Sequence, residues 1–291
     1  FIVEMGAKNV GDNKEICDLV NPQMGIITAV GPQHLESFKS IENVQKTKFE
    51  LVDALPADGF AVLNNDFEYV ANRAVDNVTV KRYSVNKSDA ADYHAEDVKY
   101  SASGTTFTVV GEGKRIELCT KLLGECNISN LIGAVIIAMK LGVPEHKIQY
   151  AVSRIAQVEH RLNVKRAANG VTIIDDAFNS NPDGSRMALD VLGSMTDGKR
   201  IVITPGMIEL GEKQYELNEA LGMKIAECAD VAIIVGEYNK DALLNGIKQG
   251  GMNNENVHAV ASFNEAQRVL ATIAKAGDTV LYENDLPDTF K

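Results

Sequence analysis

An acid, an imidazole and a lysine follow one another at the ends of successive apolar segments. Glu4 closes "FIVE"; His34 and Glu36 sit in "GPQHLESF", just after the apolar run "MGIITAVG"; Lys46 and Lys48 lie in "KTKFE" on the next helical stretch. In open αβ sheets, ligands gather at the carboxyl ends of strands. A carboxylate, an imidazole and a lysine on neighbouring elements could surround a phosphate and its Mg2+. A second group lies further on. In "DDAFNSNPDG", Asp175 and Asp176 leave a strand, and Asn179, Asn181 and Pro182 form a turn into a helix. "EHRLNVKR" brings Arg161, Lys165 and Arg166 close together, either as a surface patch or as an anion contact.

Each of these residues also has an ordinary role. A glutamate at a strand end is commonly a loop residue, and two lysines on a helix commonly form a solvated face. Asx-turn and N-cap chemistry accounts for much of "NSNPDG". The sequence holds neither GxxxxGK[ST] nor GxGxxG, so it shows no phosphate-cradling loop.

The elements that must position these residues fall into two blocks. In the first, "FIVEMG" reads as a buried strand. A helix near 12–20, the strand "MGIITAVG", a helix from Ile41 to Leu55 and the strand "FAVLNND" follow. This alternation predicts a parallel sheet. From 78 to 120 the segments become short and alternating, which predicts an antiparallel insert or flank. "NISNLIGAVIIAMKLGV" predicts an apolar helix ending at Gly142, and Pro144 opens another that reaches about Val158. The second block predicts five strands with four helices between them: "VTIIDDA", "RIVITPG", "VAIIVG", "VHAVAS" and "DTVLYEND". That is a Rossmann-like open sheet. The expected domains are 1–157 and 158–291.

The 291 residues, 45% hydrophobic and 24% charged, describe a globular αβ protein with ample core. No apolar run is long enough to span a bilayer, and no signal peptide is visible. A net charge of −11 argues against a nucleic-acid binder. Cys17, Cys119, Cys126 and Cys228 form no CxxC pair and read as reduced thiols of a cytoplasmic protein.

Taken in order, "VEMGAKNVGDN", "ITAVGPQHLESFKSIENVQKTKFEL", "LNND", "GECNISNLIGAVIIAMKLG", "EHRLNV", "IIDDAFNSNPDG", "TPGMIELG" and "LYENDLPDTF" resemble the Mur ligase family, the ATP-dependent amide-forming enzymes of peptidoglycan synthesis. The resemblance covers nearly the whole chain. "EMGA", "GPQHLESF" and "DDAFNSNPD" are most similar to the member that adds D-Ala-D-Ala to UDP-MurNAc-tripeptide. The fold implied is an α/β remainder of a P-loop-type central ATPase domain, lacking its P-loop segment, followed by a Rossmann-like C-terminal domain. The resemblance therefore also implies that this chain alone is an inactive fragment. It implies ATP and Mg2+ as cofactors. Glu4 and His34 match metal ligands. Lys48 matches the lysine that CO2 carbamylates into a further metal ligand, with Lys46 as the register alternative. Asn127 matches an adenine contact, and Arg161 and Asp176 match residues that hold the nucleotide. Asn179, Asn181 and Pro182 match the loop facing the amino substrate. Two departures stand out: Cys126 occupies a position where the family usually has His, and "TPGMIELG" replaces the commoner "LGDMxELG". The alternatives are another amide ligase of the superfamily with a different amino substrate, or a non-catalytic binding protein that keeps the fold.

Overall fold

Residues 60–64 show how the first sheet is built. Phe60 and Val62 point into one apolar cluster, while Ala61 and Leu63 point into another. Successive side chains of a strand face opposite ways, so a continuous apolar run fits a sheet covered on both faces. The structure, a computed structural model, describes residues 1–101, 104–178 and 180–285. It divides into two compact units, Phe1–Ala156 and Gln157–Lys291.

The first unit runs α1 (Asp12–Val20), β1 (Met24–Ile27), α2 (Leu35–Phe38), α3 (Ile41–Asp53), β2 (Phe60–Asn64), α4 (Glu68–Ala71), β3 (Thr79–Ser84), β4 (Tyr93–Ser101), β5 (Gly104–Gly111), β6 (Lys114–Thr120), α5 (Glu125–Lys140) and α6 (Glu145–Arg154). Its six strands lie in chain order, β1 to β6. β1 to β4 are parallel, and β4, β5 and β6 are antiparallel. One face carries the α5 residues Ile128, Leu131, Ile132, Val135 and Ile136; the other carries the α3 residues Val44, Phe49 and Val52. α5 ends as its glycine demands, with Gly142 at φ 74° just past the last turn.

Three expectations need correction here. Residues 1–6 form no strand, and Phe1 and Ile2 are fully exposed rather than buried. An extended segment becomes a strand only when a neighbouring backbone takes up its hydrogen bonds, and none of the described strands pairs with it. Secondly, β3 does not belong to the antiparallel flank. A crossover through α4 returns the chain parallel to β2, and the antiparallel part begins only with the β4–β5 hairpin. Thirdly, α6 stops at Arg154, short of Val158, because its buried face ends with Ile148 and Val152.

The second unit runs β7 (Asn163–Arg166), β8 (Thr172–Asp176), α7 (Pro182–Gly193), β9 (Arg200–Thr204), α8 (Gln214–Cys228), β10 (Val231–Val235), α9 (Lys240–Gln249), β11 (Val257–Val260), α10 (Phe263–Ile273) and β12 (Thr279–Glu283). The sheet order is β11-β10-β9-β12-β8-β7. β8 to β12 are parallel, and β7 runs antiparallel at the edge. Ile201, Ile203, Val231, Ile233 and Val280 pack against Ala266, Val269, Leu270 and Ile273 of α10. The strand β7 adds a sixth strand to the five expected. It occupies "NVKR", where the basic residues concealed a short edge strand whose Lys165 and Arg166 face solvent.

Candidate active site

In the first unit, three segments carrying the expected phosphate-site residues are stitched together. Glu4 lies exposed on the extended stretch before α1. Further along that stretch, the Lys8 carbonyl accepts a 2.6 Å hydrogen bond from the Ser37 hydroxyl. Ser37 also donates to the His34 carbonyl at 3.0 Å. His34 itself stands at φ 50°, a left-handed conformation rare outside glycine, as the residue opening α2. The next link runs to α3: Asn43 Nδ2 donates to the Phe38 carbonyl at 2.7 Å, and Ser40 caps the helix by accepting from the Asn43 amide. α3 is in turn fixed to the start of α1, because the Glu50 carboxylate accepts from the Gly11 amide at 3.0 Å and from the Lys14 amide at 2.9 Å. An acid at a helix N-terminus satisfies orphan amides and complements the helix dipole.

Lys48 sits on α3 between these two anchors. It is half-buried, and among the described residues it has no ion pair or hydrogen bond of its side chain. Burial alone pulls its ammonium below the ordinary lysine value. Lys46, two residues earlier, is exposed. Of the two lysines, only Lys48 is half-buried.

This donor set can be tested against Mg2+. No three His, Cys, Asp or Glu side chains converge on a common point among the described residues. The set offers one carboxylate, one imidazole and one lysine that becomes an oxygen donor only as a carbamate. Mg2+ normally takes one or two carboxylates and fills its octahedron with water and phosphate oxygens. By type of donor, though not by convergence on one point, the set fits that pattern.

Asn127, on the first turn of α5, donates from Nδ2 to the Leu123 carbonyl at 2.8 Å and so firms the loop entering the helix at Gly124.

The second unit brings its predicted residues to the carboxyl end of β8. Asp176 Oδ1 accepts from the Leu162 amide at 2.9 Å. Desolvation pushes the Asp176 carboxyl up to about 6; the Leu162 amide and the Arg161 charge work against that rise, and Glu283 and Asp175 add to it. Arg161 does not form an ion pair with Asp176. Its guanidinium lies over the Phe178 ring, 5.0 Å from the centroid. Asn181 is the N-cap of α7: its side chain accepts from the Gly184 amide at 3.0 Å, and Pro182 takes the first helical position, where its missing N–H costs nothing. Asn179 lies outside the described residues.

Several residues of this corner were not anticipated. Glu283 ends β12 directly beside Asp176 in the ladder, and it is fully buried. Its Oε1 accepts from the Ser180 hydroxyl and, at 2.7 Å, from the Ser185 hydroxyl, and its Oε2 accepts from Thr204. A buried charge is tolerable when hydroxyls saturate it. Here the carboxylate straps the loop bearing Asn181 to the sheet. An acid closing the apolar run "TVLY" was the only signal in the sequence. Past β9, Gly206 takes φ 80°, and a side chain there would meet Asn218 Oδ1 at 2.5 Å. Asn218 and Asn239 hold this loop through the Met207 and Pro205 backbone.

Two sheets with polar residues gathered at their strand ends define an open αβ protein of two units. The family model described as Mur ligase middle domain matches residues 1–138, and that described as Mur ligase, glutamate ligase domain, matches residues 160–282. The chain belongs to the Mur ligase family. It is similar to the UDP-N-acetylmuramoyl-tripeptide--D-alanyl-D-alanine ligase of Haemophilus influenzae, at 26% identity over 86% of this chain and 53% of the relative. It is also similar to that of Bacillus subtilis, at 25% identity over 97% of this chain and 60% of the relative. Among solved structures, MurF from Acinetobacter baumannii superposes with a TM-score of 0.84 at 22% identity, over 96% of this chain and 60% of that one. MurF ligase from Thermotoga maritima in complex with ADP gives 0.84 at 21% identity, over 97% and 63%. These likenesses show a shared fold. The chain spans 53 to 60% of the length of the two curated relatives.

Proposed function

We propose that the protein carrying this chain is an ATP-dependent ligase of peptidoglycan precursor synthesis, joining D-Ala-D-Ala to UDP-MurNAc-tripeptide. The observation that carries this reading is Lys48: a half-buried amine with no acid partner, held between the His34 turn and the Glu50 anchor. Carbamylation needs a neutral amine, and burial shifts Lys48 in that direction. The relatives named above support the choice of substrates.

In this reading the tripeptide carboxylate attacks the γ-phosphate of ATP, giving an acyl phosphate and ADP. The amine of D-Ala-D-Ala then displaces phosphate and forms the amide. Bound Mg2+ would screen the repulsion between carboxylate and phosphate. Glu4, His34 and carbamylated Lys48 would hold it. Asn127 would contact the adenine, and Arg161 and Asp176 the nucleotide. Asn181 and Pro182, with Asn179, would line the amino-substrate loop. Small anionic substrates of this kind, together with cysteines that form no disulfide, favour a cytoplasmic setting. Among the described residues no helix is long and apolar enough to cross a membrane. Residues 1–291 contain no Walker motif, and on their own we expect no ATP turnover.

The test is phosphate release and amide formation by the protein that carries this chain, with ATP, Mg2+, UDP-MurNAc-tripeptide and a panel of amino acids and dipeptides. Turnover with D-Ala-D-Ala above all others supports the reading. Preference for a single amino acid moves the protein to another ligase of the family, and no ATP-dependent product with any acceptor sinks the enzymatic reading.

A further inference from the structure

Three consecutive residues before β7 are each gripped by one residue of the segment that leaves β8. His160 Nδ1 donates to Asp175 Oδ1 at 3.0 Å. The Arg161 guanidinium lies over the Phe178 ring. The Leu162 amide donates to Asp176 Oδ1. The gripped turn is backbone-strained: His160 stands at φ 60° and Leu162 at φ 49°, so left-handed residues flank Arg161 on both sides. Non-glycine residues hold that conformation only when their surroundings over-determine it. Phe178 is 63% exposed, an unusual place for a ring whose role is packing alone.

We infer that His160, Asp175 and Phe178 are positioning residues that set the direction in which Arg161 presents its guanidinium. This rests on the proposed contact between Arg161 and the nucleotide. Each partner fixes a different degree of freedom. The Asp175–His160 and Asp176–Leu162 contacts fix the backbone on either side of Arg161. The Phe178 face then selects one orientation of a long, rotamer-rich side chain. A guanidinium stacks flat on an aromatic face and keeps its N–H edge open for a phosphate, which a lysine cannot imitate. The ordering of Arg161 is thus completed before nucleotide arrives, which lowers the entropy lost on binding.

The experiment is steady-state kinetics on the protein that carries this chain, with KM for ATP and kcat measured separately. The variants are Arg161→Ala, Phe178→Leu, Phe178→Tyr, Asp175→Asn and the double variant Arg161→Ala/Phe178→Leu. Phe178→Leu is expected to raise KM for ATP roughly three- to tenfold, with thermal unfolding of the second unit unchanged because the ring is exposed. Phe178→Tyr, which keeps the face, is expected to restore the wild-type KM. In the Arg161→Ala background Phe178→Leu is expected to change nothing further, since its effect passes through the guanidinium. Asp175→Asn is expected to raise KM in the same direction. If Arg161→Ala leaves KM for ATP unchanged, the nucleotide contact itself is wrong and the inference falls with it. If Arg161→Ala raises KM but Phe178→Leu does not, or adds its full effect to Arg161→Ala, the positioning role alone is overturned.

Discussion

The Asp176 carboxylate accepts a hydrogen bond from the Leu162 amide at 2.9 Å, across the start of the second unit, while lying beside the buried Glu283 in the ladder. Desolvation is the larger influence, so its carboxyl is pushed up to about 6 from an ordinary 3.8. An acid whose pKa is higher folded than unfolded binds its proton more tightly in the fold. Its contribution to stability is fully present below the unfolded value and is lost as pH rises through about 6. Asp176→Asn removes the charge and keeps an acceptor for Leu162. Urea unfolding of the second unit should therefore show Asn gaining on Asp between pH 4 and 7, by at most about 3 kcal/mol. A difference that stays constant with pH would mean that burial does not govern this carboxyl.

Lys48 and Lys46 make opposite predictions two residues apart. If Lys48 carries the proposed carbamate, Lys48→Ala in the protein that carries this chain should lower ligation by on the order of a hundredfold or more, because a charged oxygen ligand worth several kcal/mol would be lost. Added acetate or formate should restore part of that activity, and added bicarbonate should stimulate only the wild type. Lys46→Ala, on an exposed side chain, should retain nearly full activity. The reverse pattern would move the carbamate to Lys46.

Much of this was legible in the sequence, and the exceptions share a physical cause. Continuous apolar runs such as "FAVLN" and "RIVIT" mark strands buried on both faces, and both form as expected. Apolar periodicity together with Gly142 sets the end of α5. What stayed hidden depends on partners distant in sequence. "FIVE" has the composition of a strand but finds no ladder among the described residues. "NVKR" has the composition of a basic patch but finds β8 beside it. At the candidate site, residue types were readable and pairings were not. Asp176 takes the Leu162 backbone amide, and Arg161 takes an aromatic face. Glu283 looked like a strand-end acid and proved to be the buried centre of a hydroxyl cluster.

Asn181 has a structural task that must be separated from any task in binding. Its side chain caps α7 through the Gly184 amide. Asn181→Ala should cost about 1 kcal/mol of second-unit stability, and Asn181→Ser or Asn181→Asp should cost almost nothing, because both still cap. If Asn181 also meets the amino substrate, Asn181→Asp should raise KM for D-Ala-D-Ala while the unfolding midpoint stays put. A variant that keeps both midpoint and KM would leave Asn181 with its cap alone.

Glu50 offers a test of how the first unit holds α3, the helix that carries Lys48. Both oxygens of this carboxylate are engaged, one by the amide of Gly11, the N-cap of α1, and one by the amide of Lys14 in its first turn. Gly11 stands at φ 97° and supplies no side-chain cap of its own, so Glu50 does the capping from 39 residues away. Glu50→Gln keeps one acceptor, loses the charge that complements the helix dipole, and presents an N–H2 where the second amide points. It should cost about 1 kcal/mol. Glu50→Ala leaves the part-buried Gly11 amide without a partner and the exposed Lys14 amide to water, and should cost about 1–2 kcal/mol. Since α1 and α3 are joined here, the loss should appear as faster hydrogen exchange of the Asp12–Val20 amides as well as a lower midpoint. A stability loss without that local exchange would place the effect elsewhere in α3. Unchanged stability in Glu50→Ala would mean that water replaces the carboxylate at no cost, and that the anchor beside Lys48 is not what fixes the helix.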